Sequence, residues 1–439
     1  MVELLLLMLG TRLVRRSWWV LALIGLVWFI FGAFFLLDAL VDEIRIPAAF
    51  FTVPLFLDAA ISLLAIRLVI LPGAGRMLRL VRAILFSGVA LLIILAPHHS
   101  GMFIGILVGT YLIGDAIWRA ASAYIVRYSG WRISIFNACI EFVLGLWSLL
   151  PWPTNWQGEV GSDVGTLLMV TAVGMIGLAL RIRHMAPDMP ISTILSRGWP
   201  KTPWESVFSS GEEAEDPAAP GRQEVATVHV WTPTGRLASI NRAVERYIAA
   251  VDQTGVISTG HAALELQPDV YISHYPAVEI DRSPEDFRRI LQATAENDVQ
   301  GRFQPSYAIE SADWCPSSFQ VRMVGLNAEA LRAFWARYRA DDTYNLTDRN
   351  CSSAVAKALD AGLDGLLEGR RLPLGLCIQL MLRSELWIAG MLRRRAAAMA
   401  WTPGLVLDYS RALTQILALV NAFPLRTEAK EGHRPFFTR

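Results

Sequence analysis

Residues 17–41 read SWWVLALIGLVWFIFGAFFLLDALV, an apolar run that contains one acidic residue, Asp38. At about 1.5 Å of rise per residue, a helix of this length spans a hydrocarbon core of about 30 Å. The run is therefore predicted to be a transmembrane helix. It determines the fold class of the N-terminal half, because helices satisfy every backbone polar group internally and can be surrounded by lipid.

Further apolar runs follow this helix, with short polar or Pro- and Gly-containing connections between them, at residues 47–71, 81–97, 102–126, 133–151 and 165–181. Basic side chains gather at alternate connections: Arg12, Arg15, Arg16, Arg76, Arg79, Arg82, Arg127, Arg132, Arg181 and Arg183. The other connections are neutral or acidic. By the positive-inside rule, six helices with this pattern place both ends of the bundle in the cytoplasm.

Ionisable residues also occur within these spans, at Asp38, Asp58, Arg67, Asp115 and Glu141. Charged groups are costly in lipid, so they are expected to face the bundle interior or an interface. One interpretation is a proton or ion path. The favoured one is helix pairing, with Asp58 or Glu141 bound to an arginine, because the sequence shows no dense polar track.

A weak internal repeat relates two of the spans. GLVWFIFGAFFLLDALV, from Gly25, shares its small residues, aromatics and late aspartate with GILVGTYLIGDAIWRAAS, from Gly105. Over about residues 15–185 this pattern resembles the HdeD-like family of bacterial acid-resistance membrane proteins. The resemblance implies a compact helical module of the bacterial inner membrane.

The composition of the chain narrows its class. It has 439 residues, 54% of them hydrophobic and 18% charged, with a net charge of +1, which gives no electrostatic footprint for nucleic acid. Its cysteines, Cys139, Cys315, Cys351 and Cys377, form no CxxC pair and fit a reducing compartment. Without HExxH, Walker or GxGxxG strings, no metal or cofactor is predicted, and oligomers remain open.

The second half of the chain is predicted to be a separate α+β domain. Residues 186–224 include SSGEEAEDPAAPGRQE, which is too polar to bury a core and is predicted to be a flexible linker. ATVHVWTPTG, HAALELQPDVYISHYP and FQVRMVGL are then predicted strands, the middle string forming two. ASINRAVERYIAAVDQTG, NAEALRAFWARYRADD and NCSSAVAKALDAGLDGLL are predicted helices.

Cys351 and His261 are the candidate nucleophile and base. Cys351 lies at the predicted start of a helix, where unpaired amides and the helix dipole favour a thiolate and can also receive an oxyanion. A remote imidazole that folds against this thiol completes a cysteine–histidine pair. Asn350 is alternatively only the helix cap, and an isolated buried cysteine or histidine is more often part of the core.

The sequence offers two candidates for the third member of the site, the residue that would orient His261. A two-residue turn at Gln267 and Pro268 places His274 opposite His261, so that His274 could orient its ring, whereas an odd loop separates them. Glu265 also shares the strand face of His261 and is the weaker alternative. Cys315, followed by Pro316, reads as an ordinary loop thiol.

GHAALEL, a second strand histidine and YNLTDRNCSSAVAKAL together resemble the circularly permuted papain-like superfamily, in which histidine precedes cysteine. Relatives include lecithin:retinol acyltransferases, permuted NlpC-type amidases and Lnb-type lipoprotein acyltransferases, and the similarity covers about residues 225–365. The resemblance implies Cys351 as nucleophile, His261 as base and His274 as orienter. It departs from the Lnb type, which is periplasmic, since the arginine pattern predicts a cytoplasmic domain here.

The predicted architecture is multi-domain, an all-α transmembrane bundle followed by an α+β permuted papain-like domain. Its parts are residues 1–185, the linker at 186–224, the catalytic domain at 225–370 and an amphipathic helical tail at 371–439. The tail either lies on the bilayer, with Arg393, Arg394 and Arg395 near lipid phosphates, or packs internally.

The expected function is that of an inner-membrane cysteine hydrolase or acyltransferase. Its partners would be the lipid bilayer and a lipid, lipid-linked or peptide substrate with an ester or amide bond. The competing hypothesis is a non-enzymatic stress-response or transport module whose soluble domain binds a partner.

Overall fold

The computed structural model describes residues 1–41, 46, 48–68, 73–128, 130–152, 156, 159–185, 189–195, 224–232, 250–251, 257–258, 260–278, 280, 287–368 and 373–423. They form two compact units. The helical unit comprises Ser17–Tyr124 and Gly130–His184, and the mixed unit comprises Met1–Arg16, Ile125–Ser129 and Met185–Arg439. Most of the predicted linker lies outside the described residues.

The helical unit contains the helices α3 (Trp18–Leu40), α4 (Thr52–Leu68), α5 (Gly73–Leu95), α6 (Pro97–Val126), α7 (Trp131–Ser148) and α8 (Glu159–Arg183). Each overlaps one of the predicted apolar runs. Within the described residues, three helices are long and apolar enough to cross a membrane by themselves: Trp18–Leu40, Gly101–Val126 and Glu159–Arg183. The N-terminal half is thus a helical, membrane-associated unit. Three of its described helices are long and apolar enough to span a membrane, compared with the six spans predicted from the sequence.

Close helix pairs hold this unit together at glycines. A Cβ atom on Gly32 of α3 would lie 2.7 Å from the carbonyl oxygen of Gly165 in α8. A Cβ on Gly109 of α6 would lie 2.7 Å from the carbonyl oxygen of Gly145 in α7. Only glycine lets these backbones approach so closely. Because lipid is as apolar as the side chains, burial of apolar surface does not drive helices together in a membrane, and close packing at small residues does so instead.

Three of the acidic residues inside the predicted spans, Asp58, Asp115 and Glu141, bind arginines. Arg82 of α5 donates to both carboxylate oxygens of Asp58 in α4, at 2.8 and 2.6 Å. Arg119 of α6 contacts Asp115 at 2.5 Å and Glu141 of α7 at 3.1 Å. These contacts are the helix pairing that the sequence favoured over an ion path.

A four-stranded antiparallel sheet forms the centre of the mixed unit, in the order β5 (Val270–Ile272), β4 (His261–Leu266), β1 (Val225–Trp231) and β8 (Phe319–Val324). One face carries Val228, Val230 and Leu264, and the other carries Trp231 and Ala263; all are buried. This alternation follows from the period of two in a strand. Burial of each valine or leucine side chain contributes about 1.5–3 kcal/mol.

Smaller strands complete the unit. A pair is formed by β2 (Ala250–Val251) and β3 (Ile257–Ser258), and β6 (His274–Pro276), β7 (Val299–Phe303) and β9 (Thr343–Tyr344) form a three-stranded sheet. The predicted helix over residues 238–255 lies mostly outside the described residues. Its described part, Ala250–Val251, is strand.

The helices of the mixed unit are α1 (Val2–Leu9), α2 (Thr11–Arg16), α9 (Ile191–Leu195), α10 (Phe287–Ile290), α11 (Tyr307–Asp313), α12 (Ala328–Tyr338), α13 (Cys351–Gly362), α14 (Pro373–Met381), α15 (Ser384–Ala398) and α16 (Pro403–Asn421). Every residue of α13 is buried. The predicted helix starts at residues 327–328 and 350–351 match α12 and α13.

The C-terminal tail is part of the mixed unit. Helix α16 packs against β1, β8, α13 and α15, with Leu407 and Tyr409 fully buried. Arg393 of α15, which the sequence placed near lipid phosphates, is instead 5% exposed and binds Asp360 of α13 at 2.9 Å. For α16, internal packing is the alternative that the structure supports.

The first helix also belongs to the mixed unit, although the sequence assigned it to the membrane domain. Leu4, Leu7 and Met8 of α1 are buried, and the main-chain amide of Leu367 donates to Met8 at 2.8 Å. Gly10, at φ 88°, has its Cβ position 2.8 Å from Gly365 Cα, so a larger residue would not fit. This contact joins segments that are far apart in sequence.

Candidate active site

Cys351 is the first residue of α13 and is only 8% exposed. Asn350 caps the helix, since its Oδ1 accepts a hydrogen bond from the Ser353 amide at 2.7 Å. The Asn350 side-chain amide donates to the carbonyl oxygens of Leu346 and Trp401, at 2.7 and 3.0 Å. The cap therefore fixes the start of the helix and, with it, the position of the thiol.

His261 begins β4 and is 3% exposed. Its Nε2 lies 2.9 Å from Ser273 Oγ and 3.2 Å from Glu310 Oε1. The ring stacks on Tyr275 with centroids 4.0 Å apart and planes at 17°. These contacts hold the Nε2 edge of the ring and fix the ring plane.

Helix α13 packs against β4, and Cys351 and His261 lie close enough for each group to shift the pKa of the other. Burial alone would lower the pKa of His261, but Cys351 and Glu310 raise it to about 9. Burial alone would raise the pKa of the Cys351 thiol, whereas the nearby positive charge of His261, with the Ala262 amide, lowers it. Both directions favour a thiolate–imidazolium pair.

Glu310 anchors the imidazole and was not identified from the sequence. It lies on α11 and is 2% exposed. Its carboxylate accepts hydrogen bonds from Ser273 Oγ at 3.1 Å, from Tyr275 Oη at 2.7 Å and from Tyr271 Oη. Burial would raise the pKa of Glu310, but its hydrogen bond with His261, the charge of His261 and the tyrosine hydroxyls lower it to about 2.

His274 lies away from this cluster. The loop between β4 and β5 has three residues, Gln267–Asp269, and Leu266 pairs with Val270. A loop with an odd number of residues places the His261 and His274 rings on opposite faces, because each added residue turns the following side chains to the other face of the strand. Ser273 and Tyr275 consequently flank His261 in the place that the sequence gave to His274.

The surroundings of His274 are those of a core histidine. Its Nδ1 lies 3.1 Å from Tyr338 Oη, and the ring meets Phe303 and Tyr344 at centroid distances of 4.6 and 5.1 Å. Burial, with the nearby charge of Arg349, lowers the pKa of His274 to about 3. A ring that stays neutral and packed in this way does not orient His261.

The alternative orienter, Glu265, contacts a different histidine. Its Oε2 lies 3.4 Å from His229 Nε2. The His229 ring stacks on Tyr307, with the ring centroids 3.9 Å apart. Trp231 lies between His229 and His261, and its ring centroid is 5.4 Å from that of His261. Glu265 therefore shares the sheet face of His261, as predicted, without binding it.

The other three cysteines differ from Cys351, which is buried, in their exposure. Cys139 and Cys315 are exposed and Cys377 is half-buried. Within the part of the chain that the structure describes, no group of three or more His, Cys, Asp or Glu side chains could hold a metal ion. The described cluster is suited to proton transfer and nucleophilic attack by sulfur.

Comparison with known proteins gives one match. A family model described as the IcsB middle domain matches residues 289–431, which is about a third of the chain. This segment contains Glu310 and Cys351, but it begins after His261. No curated protein and no solved structure matches the chain.

Proposed function

We propose that this protein is a membrane-anchored cysteine hydrolase or acyltransferase that cleaves an ester or amide bond. The observation that carries the proposal is the proximity of Cys351 to His261, whose Nε2 is held by buried Glu310. A thiolate, an imidazole to relay protons and a carboxylate to orient that imidazole are the parts required for thiol-dependent acyl transfer.

The reaction proceeds in two halves. The Cys351 thiolate attacks the carbonyl carbon, and the carbonyl electrons move to its oxygen, which the amides at the start of α13 stabilise. When the tetrahedral intermediate collapses, the leaving alkoxide or amine takes the proton of the His261 imidazolium. A thioester on Cys351 and a neutral His261 remain.

In the second half, His261 removes a proton from water or from another acceptor, which attacks the thioester carbon. The carbon–sulfur bond breaks, and Cys351 leaves as the thiolate beside a newly protonated His261. The same geometry thus serves hydrolysis and acyl transfer, and the difference lies in which acceptor reaches the thioester.

The membrane helices favour a lipid or lipid-linked substrate, because an anchor confines the enzyme to the surface where such molecules are found. Peptide amides are the second substrate class. We propose that the mixed unit lies on the cytoplasmic side of a bacterial inner membrane, since Arg12, Arg15, Arg16 and Arg183 flank the first and last spans.

Replacement of Cys351 by serine or alanine tests the proposed activity. The purified full-length protein in lipid nanodiscs would be assayed with long-chain acyl esters and labelled with an alkyne-bearing iodoacetamide. We expect wild-type protein to turn over the ester and to be labelled at Cys351 at neutral pH, and both Cys351 variants to lose turnover. Cys315→Ser, which removes an exposed loop thiol, is the matched control and retains activity.

A non-enzymatic binding module gives a different outcome. In that case Cys351→Ser leaves every measured property unchanged, and the ester is not consumed above the rate of empty nanodiscs.

A further inference from the structure

The helices α14 and α15 form a bent pair with an unusually apolar outer side. Gly375–Met381 and Ser384–Ala398 meet at an angle of 68°, and together they are apolar enough to pass as a membrane span. Five large apolar side chains on this pair and on the connection between its helices are exposed by 40% or more: Ile378, Met381, Leu382, Trp387 and Met391. We call these residues, together with Arg394 and Arg395, the elbow surface.

The elbow surface follows one face of α15. Trp387, Met391, Arg394 and Arg395 recur at helical spacing and are exposed, whereas Leu386, Ala389, Arg393 and Ala396 form the buried face. Apolar side chains and cations therefore share the outward face. An interfacial helix that rests on anionic lipid has this distribution.

The inward face of α15 excludes a membrane crossing. Arg393 Nε binds Asp360 Oδ2 at 2.9 Å, its Nη2 donates to the Leu195 carbonyl at 2.8 Å, and Glu3 also binds it. Asp360 in turn accepts from Tyr409 of α16 at 2.6 Å. A helix whose arginine is tied into the core of the mixed unit cannot be surrounded by lipid.

The bend itself is held in place. Trp387 Nε1 donates to the Met381 carbonyl oxygen at 2.8 Å, so the indole of α15 binds the last residue of α14. This hydrogen bond satisfies a carbonyl at the end of α14 while the indole ring remains 40% exposed. A tryptophan whose indole N–H is hydrogen-bonded and whose ring is exposed is typical of the depth at which lipid headgroups lie, where tryptophan is enriched in membrane proteins.

The helix that bears most of the elbow surface packs against α1, which is close in sequence to the first membrane span. Helix α1 packs against α15, and the Cβ position of Gly390 is 2.5 Å from the Met1 nitrogen. From α1, only the six-residue helix α2 leads to Trp18, where the first span begins. The basic residues Arg12, Arg15 and Arg16 lie along that connection.

We infer that the elbow surface binds the surface of an anionic lipid bilayer. The apolar side chains enter the headgroup and upper acyl region, and Arg394 and Arg395 face lipid phosphates. The docking holds the mixed unit against the membrane without a further crossing. It goes beyond the proposed acyl chemistry and does not depend on it.

The test measures the depth of a reporter in the full-length protein. The background carries Ser at positions 139, 315 and 377 and Ala at 351, so a single introduced cysteine is labelled and no catalysis contributes. Met391→Cys carries an environment-sensitive nitrobenzoxadiazole probe, and Glu329→Cys on α12, which is also exposed, is the matched control. Nanodiscs contain either phosphatidylcholine alone or a mixture with phosphatidylglycerol, with doxyl-labelled lipids as quenchers.

We expect the probe at position 391 to shift its emission to the blue and to be quenched most strongly by doxyl groups near the headgroups. The probe at 329 should show neither change. Arg394→Gln with Arg395→Gln should reduce the shift mainly in the nanodiscs that contain phosphatidylglycerol. Emission at 391 that matches the control at 329, or quenching at 391 that is strongest at the bilayer centre, would overturn the inference.

Discussion

Glu310 Oε1 lies 3.2 Å from His261 Nε2, and both side chains are almost completely buried. The carboxylate also accepts the Tyr275 hydroxyl at 2.7 Å, and Tyr275 stacks on the His261 ring. We therefore propose Glu310 as a positioning residue that fixes the ring plane and stabilises the imidazolium next to Cys351.

Replacement of Glu310 by glutamine should lower kcat/KM by about 100-fold or more, because the neutral amide no longer selects the ring orientation or stabilises the charged ring. It should also lower the pKa of His261, since Glu310 is one of the groups that raise it. Steady-state ester hydrolysis across a pH series measures both effects. Glu265→Gln, on the same sheet face but bound to His229, should change neither kcat/KM nor the pKa of His261. If the two variants lose the same activity, Glu310 has no special role.

Activity should depend on pH through both members of the pair. Below the lowered pKa of Cys351 the thiolate is protonated, so activity falls on the acid side. Above about 9 His261 loses the proton that the leaving group needs, so activity falls on the alkaline side. A kcat/KM profile between pH 4 and 11 measures these limbs, whereas a rise that continues through the alkaline range would indicate an unassisted thiol.

His274 should influence stability through protonation rather than catalysis. Its folded-state pKa of about 3 lies below the ordinary value of 6.5, so the unfolded chain binds the proton more tightly and stability is lost as pH falls below 6.5. Between pH 7.5 and pH 5 this loss amounts to about 2 kcal/mol at most. Thermal unfolding of wild type and His274→Gln at both pH values should show a smaller pH dependence in the variant, with ester turnover retained.

The Arg393–Asp360 pair should be needed for folding of the mixed unit. Arg393→Ala leaves Asp360 buried without its cation, a change that typically costs about 3–5 kcal/mol. The expected result is a large fall in Tm for the nanodisc-embedded protein. Arg394→Ala, which removes an exposed neighbour, should change Tm little. If both variants change Tm by the same amount, the buried pair does not contribute more to stability than an exposed arginine.

Local sequence patterns predicted the elements near the site well. The helix start at Cys351, the strand that begins at His261 and the α+β order all follow from side-chain periodicity and the cap at Asn350. The docking of α1 does not follow from such patterns. Leu7 and Gly365 meet across more than three hundred residues, and an apolar N-terminal helix looks the same locally whether it faces lipid or protein.

The site was predictable only where chemistry and periodicity agreed. Cys351 and His261 stand out by residue type and context, and the structure places them together. The partner of His261 depended on one residue of loop length between β4 and β5, which decided between His274 and the face with Ser273 and Tyr275.

Glu310 carries no local signal that distinguishes it. On the same short helix, Ile309 is 47% exposed while the charged Glu310 is buried, which inverts the usual pattern of hydrophobic residues inside and charges outside. A carboxylate of this kind is recognised only from the hydroxyl donors that surround it in the folded protein.

Detection of the acyl-enzyme tests the proposed chemistry most directly. Full-length protein in nanodiscs would be mixed with a long-chain acyl ester, quenched with acid within one turnover and digested for mass spectrometry. We predict one acyl mass on the peptide that contains Cys351, its removal by neutral hydroxylamine and its absence in Cys351→Ser. An unmodified Cys351 peptide in a protein that still consumes the ester, or an acyl group on Cys315 alone, would contradict the proposal.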